Sequence, residues 1–191
     1  MSRPYEQKKR AESQERTRRR IVEAAVELHE SVGPAMTTVT EIAEVAGVGR
    51  LTVYRHFPDD LALILACSGL YWERNPFPDP EPWLSVADPQ ERLKLALEAG
   101  YAYHRSTEAM MSRAMADIQD SAVWKPYVEY WSRTADVVAS GSGLRDRKYC
   151  LHRAAIGHAL AFTTWRSLVR DQGLSDKQAV EVMLRLCQVC P

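Results

Sequence analysis

Ala43, Gly47 and Val53 constrain the fold of this 191-residue chain more than any other positions. Two short helices that cross at a tight turn need a small residue on the first helix, where the second passes over it. They need a residue tolerant of positive φ in the turn, and a branched apolar residue on the second helix to plug the angle. Ala43, Gly47 and Val53 supply these in order, four and six residues apart. The pattern predicts a helix opened at Thr38 by a T-x-x-E capping box with Glu41 and buried through Val39, Ile42, Ala43 and Ala46. After the stop at Gly47, a second helix runs from about Gly49 to His56, with Val48, Val53 and Phe57 inward. Any three-helix packing around a glycine turn meets the same spacing, so the outward residues must decide what the pair does.

Helical periodicity extends over the rest of the chain, and no alternating run bounded by turn residues reads as a strand. Ile21, Ala24, Ala25, Leu28 and Val32 form one apolar stripe that ends at Gly33-Pro34. Pro58, Asp59 and Asp60 open a fourth helix through Leu61, Ile64, Leu65, Ser68 and Trp72. Pro76, Pro78, Pro80 and Pro82 then make an extended connector, because alternating prolines cannot be helical. Asp88, Pro89 and Glu91 start the next helix, and helices are expected at roughly 89–105, 107–119, 122–139, 146–171 and 176–189. Gly141 and Gly143 mark a loop, Gly173 closes the long helix, and Ser175 with Gln178 forms another capping box. The expected fold is all-α: an N-terminal three-helix helix-turn-helix head fused to a C-terminal helical bundle, about nine helices in total. The expected partition is a flexible basic arm at 1–15, a helix-turn-helix domain at 16–57, and a helical ligand-binding and dimerisation domain at 58–191.

Charge is balanced overall, with 25 Lys and Arg against 25 Asp and Glu, but it is unevenly placed. Residues 1–20 hold eight basic and three acidic side chains, +5, which leaves −5 for the remainder. A basic end beside a mildly acidic body suits a protein that touches a polyanion with one end; a solvated, frayed tail has the same composition. No apolar run approaches the ~20 residues of a membrane span, and no apolar core follows the basic start as in a signal peptide. A cytoplasmic location with no membrane partner is the expectation. The cysteines are Cys67, Cys150, Cys187 and Cys190. The closing C-x-x-C pair lacks a second pair for zinc, so reduced thiols are expected. His29, His56, His104, His152 and His158 form no metal or catalytic spacing. No cofactor, metal or enzymatic role is assigned.

Arg50, Leu51, Thr52, Tyr54, Arg55 and His56 cannot all be core. The first three lie on the opening turn of the second short helix, where base edges are reached in a helix-turn-helix complex. Arg can pair bidentately with guanine, and the Thr methyl can meet a thymine methyl. Tyr54, Arg55 and His56 suit phosphate oxygens. Thr38 and Thr40 sit at a helix N-terminus, which favours phosphate. These residues carry a resemblance. The run TTVTEIAEVAGVGRLTVYRHF resembles the helix-turn-helix of the tetracycline-repressor (TetR/AcrR-type) family. RRRIVEAAVELHESVG resembles that family's first helix, and PDDLALILA the start of its fourth. The resemblance implies a homodimer on a palindromic double-stranded DNA operator, released when a small molecule enters the C-terminal body. It places base and phosphate contacts on Thr38, Arg50, Leu51, Thr52, Tyr54 and His56. Two departures stand out: Gly49 replaces the usual Ser before the reading helix, and Asp59 and Asp60 replace an expected Lys. Arg18, Arg19 or their neighbours are the expected substitutes for that backbone contact.

In the body, Leu151, Ala154, Ala155, His158, Phe162, Trp165 and Val169 form a stripe rich in small residues. With Ala179, Val180, Met183, Leu184 and Cys187 of the last helix they can make a two-fold interface or ordinary intrachain packing. The expected dimer contacts are Leu151, Ala155, His158, Phe162, Val180, Met183, Leu184 and Cys187. The middle helices carry a heavy aromatic and Met load. Tyr71, Tyr101, His104, Met111, Met115, Trp124, Tyr127 and Trp131, with Trp165, are the candidate lining of a pocket for a flat apolar or cationic effector. Core packing explains the same residues. The favoured reading is a dimeric, ligand-released repressor. An activator or ligand-independent regulator, or an all-helical protein-interaction module, remains open.

Overall fold

Side-chain caps mark where several helices of this chain begin, and side chains from another helix meet the open carbonyls where one of them ends. A computed structural model describes residues 3–187. Among these residues there are nine α-helices and no strand. They are α1 (Arg3–Ser31), α2 (Val39–Ala46), α3 (Arg50–His56), α4 (Asp60–Arg74), α5 (Pro89–Asp117), α6 (Ser121–Ala139), α7 (Asp146–Ala159), α8 (Phe162–Arg166) and α9 (Asp176–Leu186). Residues 3–15, the expected arm, are the first turns of α1. No helix among the described residues is long and apolar enough to cross a membrane.

The chain forms two compact units. The head is the chain up to Pro76 together with Ala109–Val123; the body is Phe77–Glu108 and the chain from Trp124 onward. The division falls after α4 because α4 buries Leu63, Cys67 and Leu70 and packs on α1. The end of α5 belongs to the head through two bonds. The Arg113 guanidinium donates to the Glu30 carbonyl, and Asp117 accepts the Ala35 N–H at 3.0 Å.

In the head, α1 buries Ile21, Val22, Ala24, Ala25 and Val26. Val32, expected on that stripe, lies beyond the last turn and is exposed. The Thr38 hydroxyl accepts the Glu41 N–H at 3.2 Å, while the Glu41 carboxylate accepts the Thr38 N–H at 2.8 Å, which completes the capping box. Gly47 ends α2 in the left-handed region, at φ 63 and ψ 42, and the Val48 N–H returns to the Ala43 carbonyl at 2.9 Å. That conformation costs a residue with a Cβ about 1 kcal/mol or more. Ile42, Ala43, Ala46, Val53 and Phe57 close the head's core. Asp59 caps α4 by accepting the Ala62 N–H at 2.7 Å.

The body departs from expectation in two places. α5 is continuous where a break at residue 106 was expected. Ser106 and Thr107 bond back to the Tyr103 carbonyl, at 2.9 and 2.8 Å, so their hydroxyls do not cap a new helix. The single helix expected over 146–171 is instead α7, a break at Leu160–Ala161, α8, and a wider π-type turn at Ser167–Asp171. At the break, the Tyr101 hydroxyl donates to the Ala159 carbonyl at 2.9 Å and His104 Nε2 lies 2.8 Å from the Leu160 carbonyl. Two side chains one turn apart on α5 thus satisfy carbonyls that α7 leaves open. Nearby loops are held by Arg92, which is 5% exposed and donates to the carbonyls of Val86, Val137 and Ser140. Gly141, at φ 74, packs against that guanidinium.

Cys67 and Cys187 are buried and Cys150 is exposed, all as free thiols. Burial pushes Cys67 up to about 12. Cys190, and with it the closing C-x-x-C pair, lies outside the described residues. No group of three or more His, Cys, Asp or Glu converges as metal ligands among the described residues.

Candidate nucleic-acid interface

The opening turns of α2 and α3 share one cleft. Thr38, Thr40, Arg50 and Tyr54 line it, together with Pro34, Thr37 and Asp60, around about 380 Å³ of space. Val53 and Phe57 turn inward, so the opposite face of α3 is left to solvent. Leu51 is 80% exposed and Tyr54 45%; Arg50 and Arg55 are exposed, and Thr52 and His56 are half-buried. An exposed leucine on the first turn of so short a helix contributes nothing to this chain's core. It is available for apolar contact with a partner, and arginine and hydroxyl groups flank it. That mixture suits base edges in a major groove.

Thr38 and Thr40 differ. The Thr38 hydroxyl also donates to Glu41 at 2.8 Å, and these bonds hold the Glu41 carboxyl below its usual range. A carboxylate therefore already occupies the N-terminal end of α2, and Thr38 meets a phosphate only if the box opens. Thr40 lines the cleft without that commitment.

The basic residues expected to grip phosphate are divided. Arg19 projects from α1, paired only at the surface with Glu23 at 3.2 Å, and Arg74 reaches the same carboxylate. Arg18 points the other way. Its Nη1 lies 3.4 Å from the His56 carbonyl, and its guanidinium sits 4.4 Å above the centre of the Phe57 ring. The next basic side chain, Arg20, escaped the sequence reading. It donates to the carbonyls of Ala46 and Gly47, the latter at 3.2 Å. No local pattern signals these bonds, since their acceptors lie 26 to 38 residues downstream. Asp59, one of the two acids that stand where the resemblance expects Lys, has its carboxylate turned to the first turn of α4.

The candidate effector residues fall in both units. Tyr71, Met111 and Met115 belong to the head; Tyr101, His104, Trp124, Tyr127, Trp131 and Trp165 belong to the body. In the body, His104 is wholly buried, with ring centres of Trp131, Phe162 and Trp165 at 4.8, 5.5 and 6.0 Å. Burial pulls its imidazole down to about 4, so it is neutral. Trp165 donates to Asp176 at 2.8 Å, and Asp176 also takes both arms of Arg105. The polar tips of Tyr101, His104 and Trp165 thus serve the body's own architecture. The expected dimer residues divide as well. Leu151 and His158 are exposed and Ala155 and Leu184 half-buried, whereas Phe162, Val180, Met183 and Cys187 are buried inside the body. Those four fill this unit's own core, which leaves them no free surface for a partner.

Residues 21–67 match the family model for bacterial regulatory proteins of the tetR family. This chain carries a TetR-family head. The match runs from the buried Ile21 of α1 to Cys67 of α4, whose thiol packs against the Val22 carbonyl. The matched segment, 47 of the 191 residues, spans the C-terminal part of α1, the helix-turn-helix pair α2 and α3, and the first half of α4. No curated protein matches the sequence. Among solved structures, the regulator FadR from Bacillus subtilis in complex with stearoyl-CoA is 20% identical, with a TM-score of 0.59 over 88% of this chain and 96% of its own. RolR in complex with resorcinol is 18% identical, with a TM-score of 0.56 over 92% and 89%. The superantigen PfiT is 20% identical, with a TM-score of 0.61 over 89% and 95%. At these identities the fold is what is shared, and its functional use is carried by the site.

Proposed function

We propose that this TetR-family chain is an operator-binding repressor, working as a homodimer and released by a small apolar or aromatic molecule. One observation carries the reading: the exposed face of α3 presents Arg50, Leu51 and Tyr54 to solvent, beside a cleft lined by Thr38 and Thr40. No hydrogen bond or ion pair among the described residues engages the Arg50 guanidinium, so it is available to a guanine. Dimerisation is supported by the exposed Leu151 on α7 and the exposed Leu186 at the end of α9, beside the half-buried Leu184. Such apolar surface suits a two-fold partner. Release is supported by the ligands of FadR and RolR, stearoyl-CoA and resorcinol, and by the aromatic load of the body. An effector acts only if it binds the non-reading conformation better.

A gel shift with palindromes from the protein's own upstream DNA tests the reading. Wild type is expected to retard one of them, and Arg50→Ala and Tyr54→Ala to lose about tenfold or more in affinity. An undiminished shift with both variants contradicts the assignment of α3 as the reading helix. A reporter driven by that DNA gives the sign: deletion of the protein raises expression if it represses.

A further inference from the structure

We infer that Arg18 and Arg20 are positioning residues that clamp the reading helix to α1, one at its C-terminal end and one at the turn that precedes it, and that neither is a phosphate contact. The inference rests on α3 being the DNA-reading helix. α3 has only seven residues, and its N-cap is Gly49, which offers no side-chain cap bond. A helix of two turns without a side-chain cap is marginal alone, so its direction must be set by neighbours. α1 supplies them. Arg20 donates to the carbonyls of Ala46 and Gly47, where α2 ends and the turn into α3 begins. Arg18 reaches the His56 carbonyl, where α3 ends, and lays its guanidinium over the Phe57 ring at 4.4 Å.

Each arginine therefore places a cation at the negative end of a helix and meets carbonyls that the helix itself leaves open. Both clamps arise from one short stretch of α1, so the turn before α3 and the residue after it are referred to the same rigid element. Phe57 is 2% exposed, which fixes the plane on which Arg18 lies. Arg18 is half-buried and Arg19 and Arg20 are exposed, but among the described residues Arg19, the neighbour between the two clamps, bonds only to Glu23 on its own helix, whereas Arg20 reaches the end of α2. This contrast makes Arg19 the internal control. A stacked, carbonyl-bound arginine is not replaced by a lysine, which has neither the planar face nor the fork. A phosphate contact is largely retained by lysine, because it works as a charge.

The test compares full-length wild type with Arg18→Gln, Arg18→Lys, Arg20→Gln and Arg19→Gln. Two readouts are used: binding to an operator duplex and to a scrambled duplex across a salt series, and amide exchange of residues 52–57 without DNA. The clamp requires Arg18→Gln and Arg18→Lys to weaken operator binding alike, by about tenfold. Affinity for the scrambled duplex, and the slope of log K against log salt, should stay at the wild-type values. Arg20→Gln should behave in the same way. Without DNA, exchange at residues 52–57 should quicken about tenfold in the Arg18 and Arg20 variants and not in Arg19→Gln. The clamp is overturned if Arg18→Lys matches wild type while Arg18→Gln flattens the slope by about 0.9, the signature of one lost phosphate contact. Unchanged exchange at residues 52–57 in Arg18→Gln and Arg20→Gln overturns it as well. Should wild type bind no duplex, the DNA reading fails, and the exchange data alone still decide the clamp. If a glutamine variant does not fold, Arg18→Lys decides by the same measurements.

Discussion

Arg18 and Arg19 are adjacent in sequence and opposite in employment. One is turned onto Phe57 and the other lies in solvent. Composition alone assigned both to phosphate, because a count of charges does not know which side of α1 they leave. Thr38 was legible, since its partner is three residues away and capping is local chemistry. Removing that cap with Thr38→Ala should cost about 1 kcal/mol, or about 2–4 °C in Tm for a chain of this length, measured by calorimetry. In the acid range the clearest pH effect belongs to His104. Its ordinary value is 6.5, and burial lowers it to about 4 in the folded protein. The unfolded chain therefore binds the extra proton between those values, and the native state does not. Stability is full above about pH 6.5 and falls as pH drops towards 4, by at most about 3 kcal/mol. Burial lowers His29 and His152 too, so they share the slope. Thermal unfolding of His104→Gln across this window should show a flatter profile than wild type. An identical profile removes His104 from the account.

Helix starts were readable and helix ends less so. Thr38, Asp59 and Ser175 each begin a helix where their spacing placed it, by accepting an N–H three residues on. The break at Leu160–Ala161 has no such local sign, because its cause is Tyr101 and His104 on another helix. Tyr101→Phe leaves the buried Ala159 carbonyl without that donor and should destabilise the body by about 1–3 kcal/mol, read by urea unfolding. The turn between α2 and α3 is the other sensitive joint. At Gly47 a Cβ meets Arg20 Nη2 at 3.1 Å, on top of the cost of positive φ. Gly47→Ala should therefore lower Tm and weaken operator binding together, because it strains the turn and displaces the arginine that holds it. A variant that loses stability but keeps full operator affinity would separate the turn from the reading function.

At the scale of the whole chain, the two short helices and the exposed face of α3 were legible, and the boundary of the head was not. The all-helical class follows from periodicity, and the cleft residues Thr38, Thr40, Arg50 and Tyr54 could be named from their positions on two short helices. That α4 and the end of α5 belong to the head depends on Cys67 reaching Val22, Arg113 reaching Glu30 and Asp117 reaching Ala35, which no spacing rule announces. The proposed two-fold assembly makes Leu151 and Leu186 its exposed apolar anchors, at 61% and 69% exposure. The double variant Leu151→Glu, Leu186→Glu should sediment as a monomer while keeping the wild-type helical spectrum, since neither side chain is core. A dimer that survives both charges places the interface elsewhere. Selective duplex binding by α3 is the property on which the proposed function depends. Fluorescence anisotropy of wild type and Arg50→Ala on a palindrome and on a scrambled duplex of the same composition, over a salt series, measures it. The expected result is two protomers per palindrome, wild-type affinity for it at least about a thousandfold above the scrambled duplex, and an Arg50→Ala protein that has lost most of that preference. Equal wild-type affinity for the two duplexes at every salt concentration would contradict it.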